Sequence, residues 1–162
     1  MNRVAVASLI AGALLVDSSV YGSELTDMQQ ALKDSEKKAG SISDAIDAAP
    51  HSALHTYVGQ LSDLDASLDN RITAAQKHFP ITKQFGELKT TDQKTWFCHA
   101  QYATELRAQI GKIAKAVNVY ASLAPSDPEN LPANSRISLE RVKLFDVKPS
   151  ADCKEFVKPD RW

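Results

Sequence analysis

The stretch SALHTYVGQLSDLDASLDNRITAAQKHFP, residues 52–80, decides the fold. Within it Leu54, Val58, Leu61, Leu64 or Asp65, Leu68, Ile72, Ala75 and Phe79 recur at spacings of three and four. That is the period of one helix face, and Pro80 stops it. The spacing predicts a long amphipathic helix over residues 52–79. A second such stripe follows. Thr90 or Thr91 is placed to cap it, and Asp92 suits the positive end of its dipole. Phe97, Ala100, Ala103 or Thr104, Leu106 or Arg107, Ile110, Ile113, Val117 and Tyr120 line its face, so a helix is expected over 92–124, ended by Pro125. Gly111 lies inside it, where glycine costs about 1 kcal/mol relative to alanine. A close helix crossing there would explain the residue.

Two long helices joined by a connection over 80–91 predict an antiparallel hairpin, and each apolar stripe then needs cover. The N-terminal segment supplies it. Ser23 opens a helical pattern in which Thr26 and Gln29 have capping-box spacing, with Leu25, Met28 and Leu32 on one face and Gly40 placed to end it. Ser41 is expected to cap a second, short helix carrying Ile42, Ala45, Ile46 and Ala49. Pro50 marks a kink or the first turn of the next helix. The expected fold is therefore all-α: a hairpin of 52–79 and 92–124 completed to a three- to four-helix bundle.

The ends of the chain carry different signals. Arg3, the uncharged run Val4–Val16 and the polar stretch Asp17–Gly22 follow the order of a secretory signal peptide, with cleavage expected before Ser23. An apolar run of about 13 residues falls short of the ~20 needed to span a bilayer, so no stable membrane insertion is expected after cleavage. No cysteine stands near the cut to take a lipid anchor. An Ala-rich leader with no Asn-x-Ser/Thr sequon in the chain suits a bacterial periplasmic protein better than a eukaryotic secreted one, and a periplasmic or secreted location is expected. Residues 23–162 then form a single helical domain, with a Pro-rich loop over 125–135 and a tail over 136–162. In the tail a helix is expected from Ser138 to Phe145, then a short one that starts at Pro149-Ser150, holds Cys153, Phe156 and Val157, and closes at Pro159.

Cys98 and Cys153 are the two cysteines of the chain. Export would place them in an oxidising compartment, where a lone pair in a small domain becomes a disulfide. The bridge would pin the weakly patterned tail onto the second long helix. Their separation is unlike Cys-x-x-Cys, so redox catalysis is not expected.

Charge narrows the partner. The net charge is −1, whereas binding to nucleic acid requires a basic excess, and none is expected. Residues 23–70 carry nine acidic residues against three basic ones. Asp63, Asp65 and Asp69 on the first long helix, and Asp127 and Glu129 in the Pro-rich loop, are candidates for contact with a protein partner. His51 and His55, four apart, are weak candidates for holding Zn or Cu, with no His-Glu-x-x-His pattern to support them. No cofactor is implied and no nucleophile, acid–base or phosphate-loop motif is present, so an enzyme is not expected. His78 suits a helix C-terminus, and His99 beside Cys98 is expected to be packed or solvated.

Leu25-Thr26-Asp27-Met28-Gln29 is similar to the short Leu-Thr-x-x-Gln pattern of periplasmic stress chaperones. The resemblance covers five residues in one copy, and the chain has two methionines in all. It implies a holdase as one alternative. The leading expectation is an exported, soluble helical protein that binds another envelope or secreted protein, as an inhibitor, immunity-type protein or accessory factor. The other alternative is a bundle that binds a small molecule or metal.

Overall fold

The structure, a computed structural model, describes residues 18–123 and 147–158. The expected loop at 125–135, with Asp127 and Glu129, the expected helix Ser138–Phe145 and most of the expected leader lie outside the described residues. Among the described residues every regular element is helical. There are three α-helices: α1 (Ser18–Ala48), α2 (Leu54–Ala75) and α3 (Thr91–Leu123). Single 3-10 turns stand at His51–Ala53, Gln76–His78, Phe85–Glu87 and Ala151–Cys153.

The two long stripes form as their spacing predicts. Leu54, Leu61, Leu64, Leu68, Ile72 and Ala75 are the buried residues of α2. On α3, Ala100, Ala103, Leu106, Ile110, Ile113, Val117 and Ala121 are buried. All three ambiguous positions resolve toward the apolar choice: Leu64, Ala103 and Leu106 go inward, Thr104 is exposed, and Asp65 and Arg107 stand half-exposed. Thr90 caps α3, its Oγ1 accepting from the Gln93 N–H at 3.2 Å, and Gln93 Oε1 accepts in return from the Lys89 N–H at 3.1 Å. Contacts of α2 and the turn that follows it with α3 run in opposite chain order: His78 meets Trp96, Phe79 meets Phe97, and Asp65 meets Arg107.

The N-terminal segment departs from expectation. One helix replaces two, because Gly40 does not end α1 and Ser41 does not cap a new helix. Ser41 Oγ instead donates back to the Lys37 carbonyl at 3.0 Å, a bond made inside a continuing helix. The reason for continuity lies in the stripe. Met28, Leu32, Ala39, Ile42 and Ile46 are all buried, in one register that passes straight through Gly40. Breaking the helix there would rotate Ile42 and Ile46 off the core. Thr26 is likewise no cap: its Oγ1 donates to the Gly22 carbonyl at 2.9 Å within the helix. Gly111 also needs no close crossing, since it is exposed and nothing lies within 4 Å of where its Cβ would be.

Cys98 and Cys153 form the disulfide, with both residues buried. The expected short helix at the tail is a 3-10 turn, Ala151–Cys153, followed by a turn in which the Phe156 and Val157 N–H groups donate to the Cys153 carbonyl at 2.9 Å. Val147, Cys153 and Val157 join the core. Ser150 Oγ donates to Gln101 Oε1 at 2.9 Å. The tail is thus fastened to α3 by a covalent bond, apolar burial and polar contacts with Gln101 and Tyr102.

Candidate functional site

At one end of the molecule, the connection between α2 and α3 is built on aromatic rings. Phe97 sits 5.5 Å edge-on from Phe79 and 6.0 Å from Phe85, and Phe85 is 5.7 Å edge-on from Phe156 of the tail. Lys94 Nζ lies 5.3 Å over the Phe85 ring, within cation–π range. A capping box closes the turn at Phe85–Glu87, with Gln84 N–H donating to Glu87 Oε2 at 2.8 Å. From this braced connection Ile81 projects with 68% of its surface exposed. The turn holding it is flanked by Phe79 and Phe85, both of which pack on Phe97.

The acidic face is less available than its composition suggests. Arg107 reaches across from α3 to hold both Asp65 and Asp69: Nε to Asp65 Oδ1 at 2.8 Å, Nη2 to Asp65 Oδ2 at 3.0 Å, and Nη1 to Asp69 Oδ1. The fork geometry with Asp65 is bidentate, the stronger arrangement for this pair. The two carboxylates hold the guanidinium pKa above its usual value, the hydrogen bonding that Arg107 donates to Asp65 being the largest cause. Asp63 lies exposed, away from this trio. Three residues nominated for a partner thus split into two carboxylates tied to Arg107, both still partly exposed, and one solvated carboxylate.

Polar groups also line the contact between α1 and the other helices. Glu24 Oε2 lies 3.4 Å from His78 Nε2, Gln29 Nε2 lies 3.2 Å from His99 Nε2, and Glu36 Oε2 accepts from the Tyr102 hydroxyl at 3.2 Å. The same hydroxyl lies 3.5 Å from the Val147 carbonyl, so Tyr102 touches both α1 and the tail. His99 is wholly buried. Its Nδ1 is 2.8 Å from the Thr95 carbonyl, which can only accept, so Nδ1 carries the hydrogen and Nε2 is the acceptor for Gln29. Burial pushes the His99 pKa down, against the opposing pull of that Thr95 bond. Burial likewise raises the Glu36 pKa, partly offset by the Tyr102 bond. These are neutral-favouring, structural positions. His99 and Gln29 are 70 residues apart, and no local signal announces the pair.

His55 is exposed, and the described residues hold no group of three or more His, Cys, Asp or Glu side chains disposed for a metal. A cleft of about 320 Å³ opens where α1 meets the C-terminal end of α2, lined by Glu24, Asp27, Met28, Arg71, Lys77 and His78 among others. No helix among the described residues is long and apolar enough to cross a membrane. No family model matches the chain, and neither a curated protein nor a solved structure matches it.

Proposed function

We propose that this chain is exported to the bacterial envelope and works there by binding another protein, as an inhibitor, immunity-type protein or accessory factor. In this reading α2 and α3 form an antiparallel hairpin that α1 completes to a three-helix bundle, and the connection over 80–90 is the contact surface. Two features support export: the leader-like order of residues 1–22, and a Cys98–Cys153 bridge of the kind that persists in oxidising compartments.

The observation that carries the binding reading is Ile81. A bare aliphatic side chain on a loop braced by Phe79, Phe85 and Phe97 loses little conformational freedom when it docks, which is what a binding anchor requires. Lys83, Lys89 and Lys94 on and beside the connection supply positive charge to this surface, and Lys94 lies over the Phe85 ring.

The test is affinity capture from a periplasmic extract with the wild-type chain and with Ile81→Asp. Ile81 is outside the core, so the variant should keep its helical signal and melting temperature. A protein retained at fixed stoichiometry by the wild type and lost with Ile81→Asp supports the reading. Retention of nothing, or equal retention by both chains, overturns the assignment of this surface.

A further inference from the structure

A second surface adjoins the braced connection, where His78 and Trp96 directly precede Phe79 and Phe97. Its two walls carry opposite charge: Glu24 and Asp27 are one turn apart on α1, and Arg71 and Lys77 stand opposite on α2 and the turn that follows it. The floor is apolar, made by Met28 and Trp96, each 3% exposed, with Ala74 beside them. His78 stacks flat on the Trp96 indole, with ring centroids 4.1 Å apart and planes 12° from parallel. It also approaches Glu24 at 3.4 Å.

The remaining charges do not close on one another. Among the described residues Asp27, Arg71 and Lys77 form no ion pair, although carboxylates and cations line the same cleft. Elsewhere on this protein, facing charges of α2 and α3 do close, as Asp65 and Asp69 do on Arg107. The cleft between the open pairs has a volume of about 320 Å³. At ~30 Å³ of liquid volume per water, that is the room of a small organic molecule rather than of a bare ion. A lone cation would meet only one wall, and a lone anion only the other. Glu24, Asp27 and His78 line the cleft but are not disposed to hold a metal together.

We propose that this cleft binds a small zwitterion bearing an apolar side chain, of the class of a free amino acid. Its ammonium group would face Glu24 and Asp27, its carboxylate Arg71 and Lys77, and its side chain the Met28–Ala74 floor. Arg71 suits the planar carboxylate because its guanidinium can donate two parallel hydrogen bonds. Both walls are solvated, so each charge contributes modestly and affinity in the millimolar range is expected. This site is independent of Ile81 and of the protein-binding reading.

The experiment titrates the full chain with L-leucine, N-acetyl-L-leucine and L-leucinamide, following the Trp96 indole N–H and the His78 ring by NMR. The expected result is a saturable shift with L-leucine. N-acetyl-L-leucine lacks the ammonium and L-leucinamide the carboxylate, so each should bind at least about 3- to 10-fold more weakly. Asp27→Asn and Arg71→Gln, both at exposed positions, should each weaken L-leucine to a similar degree with melting temperature unchanged. The absence of a saturable shift with L-leucine overturns the proposal. So does an equal response to all three compounds, or an L-leucine response unchanged by both substitutions.

Discussion

Replacing both cysteines, Cys98→Ala with Cys153→Ala, removes the one covalent link between the tail and α3. The bridge spans 55 residues of sequence. Chain-entropy reasoning for a closed loop of that length gives about 4 kcal/mol of stability derived from restricting the unfolded chain. Each substitution also deletes a buried sulfur and leaves only the Cβ, so a cavity cost adds to that figure if the surroundings do not collapse. The folded chain has one way to lessen the loss, which is to release the tail. Val147 and Val157 would then be uncovered, with the contacts of Ser150 to Gln101 and of Tyr102 to the Val147 carbonyl. A cost of about 4 kcal/mol is therefore expected while the tail stays in place, and the lower the observed cost, the more of the tail has come away. For an m-value of about 2 kcal/mol/M in urea, the midpoint should fall by up to about 2 M. Limited proteolysis of the folded variant should cut within 147–158 before it cuts α2 or α3. A midpoint unchanged by the double substitution, with the tail still protected, would refute the clamp.

Gly40→Ala should stabilise the protein by about 1 kcal/mol, because the position is helical and open space surrounds its missing Cβ. A loss of stability on thermal melting would mean that the helix does end there. Gly111→Ala should give a similar gain for the same reason, and its failure would restore the close crossing. Leu61→Ala, at a position with no exposed surface, should cost about 2–5 kcal/mol in urea without altering the m-value; a change near zero would show that the register of α2 is wrong. His99 has its pKa lowered from 6.5 by burial. Its contribution to stability is therefore complete above pH 6.5 and is lost as pH falls through the depressed folded value. Urea midpoints across pH 7.5 to 5 should show that decline in the wild type and a flatter profile in His99→Gln. An identical profile in the two would remove His99 from the pH response.

The long stripes were legible because a helix buried on one face repeats its apolar residues every three to four positions, and Leu54 to Ala75 does so almost without exception. The ambiguous pairs were also informative. Choosing Leu64 over Asp65, and Leu106 over Arg107, leaves the two charged residues at the same level on facing helices, where they meet. Gly40 misled because glycine has two uses, ending a helix or lying inside one, and only the inward-facing register of Ile42 and Ile46 distinguishes them. Thr26 misled for a related reason: a hydroxyl that caps a helix start can equally bond back within a helix. The cleft had no signature at all. Its walls come from residues 24–28, 71–78 and 96, brought together only by packing, and charged residues at helical spacing read as ordinary solvated faces. The brace beneath Ile81 was hidden likewise, since Phe79, Phe85, Phe97 and Phe156 are spread over three separate segments.

An exported, disulfide-bonded chain is most directly tested by intact mass and thiol titration of the protein recovered from fractionated bacterial cells. The predicted species lies in the periplasmic fraction, begins at Ser23, has no titratable thiol, and is lighter than its reduced form by two hydrogens. A chain that stays in the cytoplasmic fraction with residues 1–22 attached and both Cys98 and Cys153 titrating as thiols would contradict it.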